Sequence, residues 1–193
     1  YIGNDPLLTN KLVYIPWSVD EDSFYDRNEY RNNNSIVYAG RIIPLKRIHL
    51  LIPYLKKYNL HLTVIGSWDK DYRAKVFDMV NSYDSNMYFH EIETILNQNE
   101  LGKEYNKHRF MAFTSETEVY SNTIAEGIAC GLEVFALDVG LRGYDNHKKY
   151  INISNSLENM IKEITMRSKS LRISKSKEFL EEHNRYIIGL KLK

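Results

Sequence analysis

Two short stretches of the 193-residue sequence carry side chains that could hold a charged ligand. The first is Gly40-Arg41-Ile42-Ile43-Pro44-Leu45-Lys46. Gly40 permits a tight turn and a close approach of backbone to ligand. Arg41 offers a bidentate fork and Lys46 a point charge, a combination suited to a diphosphate. A helix beginning near Pro44 would add backbone N–H donors. The same two cations also read as solvated surface charges. The second stretch runs from Thr114 to Glu126, where seven residues separate Glu118 from Glu126. Glu118 falls in a loop and Glu126 about one turn into a helix. Between them the amides of Ser121, Asn122 and Thr123 form a second anion cradle at the helix start. Carboxylates placed there can accept hydrogen bonds from sugar hydroxyls, and one inside the first turn can bind a vicinal diol. Against this, Thr123-x-x-Glu126 also reads as a capping box, and Glu118 as a solvated loop acid.

The elements that must position these residues alternate in type. Ser35–Ala39 (SIVYA), His61–Ile65, Met87–Phe89, Arg109–Phe113 and Val134–Leu137 are short apolar runs, the first two closed by Gly40 and Gly66, as buried strands are. Helical spacing marks the stretch from Pro44 through Ile48, Leu51, Ile52 and Leu55, and also Asp69–Tyr83, Ile95–Asn106, Asn122–Cys130, Leu157–Met166 and Leu171–Tyr186. Alternation of apolar strands with helices predicts an α/β domain, a Rossmann-like parallel sheet flanked by helices on both faces. Such sheets place ligands beyond the carboxyl ends of their strands, where both stretches lie.

Composition excludes several classes. Hydrophobic residues make up 43% of the chain, too many for disorder. A formal net charge of +1 gives no global attraction to nucleic acid or anionic membrane. One cysteine, Cys130, rules out a disulfide framework and a multi-cysteine zinc site and suits a reducing, cytoplasmic compartment. No apolar run approaches the ~20 residues of a membrane span. The six histidines show no metal-ligand spacing on one helix, and no metal is expected. Asp69-Lys70-Asp71 has the D-x-D form of a divalent-cation site but opens a helix, where Asp is a good cap. Gly-x-Gly-x-x-Gly, a Walker loop and Gly-x-Ser-x-Gly are all absent. Arg167–Lys177 carries five cations and no acid, which reads as a solvated helix junction or as a contact to acceptor phosphates.

Taken together, Gly40-Arg41…Lys46 and Glu118-x7-Glu126-Gly-Ile-Ala-Cys-Gly131 resemble the carboxyl-terminal half of retaining GT-B glycosyltransferases of the glycogen-synthase and mannosyltransferase type. The resemblance runs from about Leu12 to Val139. VYIPWSVD stands in place of the family's IPNGVD, IVYAGRIIPLK in place of its GR-x-x-x-x-K clamp, and FTSETEVYSNTIAEGIACG in place of its PS-x-x-E-G-F-x-N-x-x-x-E-A-x-A-C-G. The sequence departs from the family pattern at Arg47 and Gly127, where Gly and Ala are usual, at Thr114 and Glu133, where Pro is usual, and at Leu141, where a second Gly is usual.

The resemblance implies roles residue by residue. Arg41 and Lys46 would hold the donor diphosphate and neutralise charge on the leaving nucleotide. Glu118 would meet hydroxyls of the transferred sugar and Glu126 the ribose. Ser121, Asn122 and Thr123 would present amides near the phosphates. Gly40 and Gly66 would let the nucleotide lie close, and His90 to Ile92 would touch the base. The implied chemistry is transfer of a hexose-type sugar from a nucleotide sugar to an acceptor hydroxyl, with retention and without a metal or other cofactor. The acceptor is open among glycan, lipid, protein and modified DNA. The implied organisation is a lead-in segment (1–34) from a missing amino-terminal half supplied in cis or in trans, a nucleotide-sugar-binding domain (35–155) and closing helices (156–193). A non-catalytic binding or scaffold module of the same fold and a GT-B-fold sugar-nucleotide epimerase stay open as alternatives. So do a peripheral membrane location and a phage-encoded protein in a host cytoplasm.

Overall fold

The structure is a computed structural model that describes residues 19–93, 96–116, 121–138 and 149–183. Six strands form one parallel sheet: β1 (Asn32–Ala39), β2 (His61–Ile65), β3 (Phe89–Ile92), β4 (His108–Phe113), β5 (Glu133–Leu137) and β6 (Ile151–Ser154). The helices are α1 (Ile52–Tyr58), α2 (Lys70–Ser82), α3 (Gln98–Tyr105), α4 (Asn122–Ala129), α5 (Leu157–Arg167) and α6 (Ser176–His183). Ile36, Val37, Tyr38 and Ala39 of β1 and all six residues of β4 are buried, as strands covered on both faces must be. Val19, Phe24 and Phe179 join the same core, so the residues before β1 and the last described helix close one hydrophobic cluster. Among the described residues, no helix is long and apolar enough to cross a membrane.

The strand order is β3-β2-β1-β4-β5-β6. The order in which the chain adds strands reverses between β1 and β4, the kind of switch point beside which such sheets place ligands. Arg41 and Lys46 follow β1, and Ser121 to Glu126 follow β4.

The structure moves several expected boundaries. After Pro44 the chain makes two 3-10 turns, Pro44–Lys46 and Ile48–Leu51, before α1 begins. Arg47 between them is left-handed (φ 50°, ψ 31°), which interrupts a continuous helix. The third strand starts at Phe89, because Tyr88 is held in a turn by the Ser85 carbonyl while Phe89 to Ile92 pair with Leu62 to Ile65. His90 and Ile92 therefore lie inside β3, not after it. Strand β6 carries no sequence signal above its neighbours; pairing with β5 makes it a strand. The last helix starts at Ser176, not at Leu171, because Arg172 and Ile173 are drawn to acids across the molecule.

Those acids anchor the amino ends of the strands. Arg109 is fully buried, and its Nε donates to Glu133 Oε1 at 3.0 Å. Arg167 Nη1 donates to Glu133 Oε2 at 3.0 Å, and Arg109 Nη1 to the Ser170 carbonyl at 2.8 Å. A second cluster joins Arg31 and Arg172 to Asp26, at 2.9 and 2.7 Å. Burial alone would raise the Asp26 carboxyl, but hydrogen bonds from Arg172, Ser174 and the Asn28 amide, with the charge of Arg31, lower it to about 2. Three cations of the basic run are thus internal: Arg167 and Arg172 in these clusters, and Lys175 on the Lys149 carbonyl. Glu133 replaces the family's proline at a position where a strand arginine needs a counter-ion.

Removing one partner of a buried ion pair strands the other charge. Glu133→Ala is therefore expected to cost about 3–5 kcal/mol. The double substitution Arg109→Met, Glu133→Leu should cost clearly less, because no charge is left in the core. Urea unfolding of both variants checks this, and equal losses would contradict it.

Candidate functional site

The site grows from the backbone at the carboxyl ends of β1 and β2. Gly40 and Gly66 adopt φ of +133° and +131°, a region that side chains strain to enter. A Cβ at Gly66 would sit 2.1 Å from the Gly40 carbonyl oxygen, so the two strand ends touch through bare backbone. Hydrogen bonds from Gly40 N–H to the Ile65 carbonyl (3.0 Å) and from Ile42 N–H to the Ser67 carbonyl (2.8 Å) hold them together. Beside them opens a cleft of about 290 Å³, with Gly40, Arg41, Gly66 and Ser67 at its polar edge and Leu96 and Leu101 as its apolar wall. Arg41 is exposed, and among the described residues its guanidinium holds no partner. Lys46 is half-buried at the end of the first 3-10 turn.

The loop after β1 is tied to the loop after β4 by four hydrogen bonds. Thr114 Oγ1 donates to the Lys46 carbonyl at 2.9 Å, and Glu116 N–H to the Leu45 carbonyl at 3.0 Å. Arg47 Nε donates to the Thr114 carbonyl at 2.9 Å, and its Nη2 to the Ser115 carbonyl at 3.3 Å. Residues 45–47 and 114–116 are therefore one structural unit.

Helix α4 starts from Ser121, whose side chain makes no capping hydrogen bond. This corrects the capping-box reading: Thr123 lies inside the first turn, and Glu126 is not bound to the helix start. The first-turn amides are left to other acceptors, and the helix dipole favours an anion there. Glu126 instead lies beside the buried hydroxyl of Tyr105. Burial raises its carboxyl to about 7, against a smaller lowering by the Tyr105 hydroxyl. Tyr105 is in turn held well above 10 by its own burial and then by the Glu126 charge. The two groups influence each other, although among the described residues the Tyr105 hydroxyl meets the geometry of no full hydrogen bond.

Not every expected residue converges on this crevice. Glu118 lies outside the described residues. His90 is exposed, and its ring stacks on that of His61 at 5.9 Å and 7°, next to the first residue of β2. Ile92 is half-buried at the carboxyl end of β3, and its carbonyl accepts the Gly66 N–H at 3.1 Å. Asp69 of the D-x-D caps α2 by accepting the Tyr72 N–H at 2.9 Å. Cys130 is buried just past α4, and burial pushes its thiol up to about 12, which suits packing and not nucleophilic attack. Ser35, His108 and Glu104 line up as a hydrogen-bonded series, but Ser35 and His108 are buried at the amino ends of β1 and β4. Sequence reasoning missed Arg47, Thr114, Leu96 and Leu101. For Arg47 and Thr114 the available signal was their departure from the family's Gly and Pro.

The raised Glu126 carboxyl has a consequence for stability. Its folded value lies above the ordinary 4.5, so the native state binds the proton more tightly than the unfolded chain. The contribution is fully present below about pH 4.5 and is lost as pH rises through about 7. Glu126→Gln should remove a pH-dependent loss of roughly 2–3 kcal/mol between pH 5 and 8. Urea midpoints of the two proteins at both pH values measure it; parallel curves would rule it out.

Known proteins give this geometry a family. The family described as Glycosyl transferases group 1 matches residues 19–163. An uncharacterized glycosyltransferase of Methanocaldococcus jannaschii is 24% identical over 174 residues, which are 85% of this chain and 47% of that protein. The chain thus spans about half the length of this relative. Among solved structures, the carboxyl-terminal domain of the glycosyl transferase group 1 family protein LpcC from Francisella tularensis superposes with a TM-score of 0.67 at 19% identity, covering 88% of this chain and 98% of that one. The Anabaena protein HepE, in complex with UDP and glucose, superposes with a TM-score of 0.67 at 15% identity, covering 83% and 47%. The match covers most of the chain, and the chain belongs to the glycosyl transferases group 1 family.

Proposed function

We propose that this chain is the donor-binding half of a glycosyltransferase that moves a hexose-type sugar from a nucleotide sugar to an acceptor hydroxyl. The observation that carries the reading is the pinning of the Arg41–Lys46 loop to the loop before α4 at the point where the strand order reverses. In this reading the pinning would bring two cations and a helix start to one ligand. Breaking the bond between the anomeric carbon and the diphosphate leaves negative charge on the departing nucleotide. Arg41, Lys46 and the Ser121, Asn122 and Thr123 amides would stabilise that charge, the interaction that strengthens most as the bond breaks. Glu126 would accept the ribose hydroxyls and Glu118 those of the sugar. The apolar wall of Leu96 and Leu101 next to Ile92 suits the flat face of a base.

Retention and independence of a metal are part of this proposal. They rest on the family resemblance and on cations placed where a divalent ion would otherwise balance the diphosphate. UDP is the nucleotide to test first, because the Anabaena protein of the same fold holds UDP and glucose. The acceptor would be bound mainly by a further half, in cis or in trans, consistent with a chain that spans 47% of the archaeal relative. A cytoplasmic setting, where a free thiol such as Cys130 stays reduced, suits the proposal.

Thermal-shift titration without metal, with UDP, GDP, ADP, CMP and their sugar conjugates, tests the reading. A ligand bound only by the folded state adds RT ln(1 + [L]/Kd), about 2.7 kcal/mol at a hundredfold excess over Kd. One nucleotide is expected to raise the midpoint. Arg41→Ala should weaken that binding by about 1.5–3 kcal/mol, the value of a charged hydrogen bond. Unchanged affinity in the variant, or no shift with any nucleotide, counts against the donor site. Conversion of the nucleotide sugar with no acceptor present would mark an epimerase instead.

A further inference from the structure

We propose that Arg47 is a positioning residue that sets the Lys46 end of the anion clamp by stapling it to the end of β4. The inference deepens the donor-site reading and rests on it for its ligand. Three observations carry it. Arg47 is in the left-handed region, φ 50° and ψ 31°, a backbone state that L side chains other than Asn and Asp seldom hold. Glycine would occupy that state without strain, so the side chain must return something that glycine lacks. What it returns is the pair of hydrogen bonds from Nε to the Thr114 carbonyl and from Nη2 to the Ser115 carbonyl. Two planar donors on adjacent carbonyls are a match that the guanidinium makes and an ammonium does not.

The staple closes a ring. Thr114, whose side chain is fully buried, returns its hydroxyl to the Lys46 carbonyl, and Glu116 N–H returns to the Leu45 carbonyl. Residues 45, 46 and 47 are thus bound to residues 114, 115 and 116 in both directions. Lys46 has four rotatable bonds of its own, so where its backbone is held sets how far its charge can reach. The same ring joins the loop after β1 to the end of β4. The two departures from the family pattern, Arg47 for Gly and Thr114 for Pro, become one paired device: Thr114 supplies the carbonyl that Arg47 binds and the hydroxyl that binds Lys46.

Three variants of the chain separate this role from its rivals: Arg47→Gly, which keeps the backbone state and removes the staple; Arg47→Lys, which keeps the charge and removes the fork; and Lys46→Ala. Hydrogen exchange of the Glu116 amide reads the staple with no ligand present. Calorimetric binding of inorganic pyrophosphate and of UDP reads the clamp. Arg47→Gly is expected to keep its thermal midpoint, to lose protection at Glu116, and to bind both probes about tenfold more weakly, the size of one charge-assisted hydrogen bond. Arg47→Lys should not restore binding. Lys46→Ala should cost less in the Arg47→Gly background than alone, because the lysine is already misdirected. Intact protection of Glu116 in Arg47→Gly overturns the staple. Wild-type affinity in Arg47→Lys, or strictly additive losses, overturns the positioning role and makes Arg47 a charge acting directly on the ligand. If wild-type protein binds neither probe, the donor reading fails and the ligand role with it, while exchange at Glu116 still decides the staple.

Discussion

The parallel pairing of β1 with β4 is the constraint on which the rest of this molecule depends. The register Ile36 to Phe110 and Val37 to Met111 brings together two strands that are separated in sequence by two other strands and three helices. Because the strand order reverses there, the loops after both strands start side by side at one end of the sheet, where hydrogen bonds join residues 45–47 to residues 114–116. Every residue with a ligand-binding chemistry in the described part of the chain is placed relative to that pair. The pairing is buried on both faces, so it is held by apolar packing and ladder hydrogen bonds and leaves the loops at its end free to diverge from ordinary sequence rules.

The two ends of the sheet divide their work by dielectric. At the amino ends the charges are matched: Glu133 with Arg109 and Arg167, and Asp26 with Arg31 and Arg172. Such clusters are rigid, and they tie the residues before β1 and the segment before α6 to the core. At the carboxyl ends the charges are open. Arg41 is exposed and Glu126 is half-buried with a carboxyl near neutrality, so each can respond to a ligand. The glycines at 40 and 66 hold the floor of the crevice close-packed with no side chain in the way. The matched charges and the open ones thus lie at opposite ends of the strands.

The departures from the family pattern acquire physical reasons in this setting. A Cβ on Gly127 would approach the Met111 sulfur at 2.7 Å, so the space left by the usual alanine is taken by a methionine from β4. Glu133 stands against a buried arginine where proline could offer no charge. Arg47 donates to the Thr114 carbonyl, and the Thr114 hydroxyl donates to the neighbouring Lys46 carbonyl. In each case a loss at one position is matched by a residue distant in sequence, which is why the departures look unrelated along the chain.

The sequence by itself determined the fold class, the number and place of most helices, and the two stretches that meet at the site. Apolar runs, glycine stops and helical spacing are local properties, and a run such as SIVYAG carries them in full. It did not determine β6, whose four residues become a strand only against β5, nor the late start of α6, which depends on Arg172 reaching Asp26. Nor did it reveal that Glu126 has no part in a capping box and has a carboxyl near neutrality, since both follow from where Ser121 and Tyr105 lie. The left-handed Arg47 was invisible for the same reason: its strain is local, but the carbonyls that repay it stand 67 and 68 residues away. Local pattern encodes which elements form, whereas hydrogen bonds and desolvation between elements far apart in sequence decide what their side chains can do.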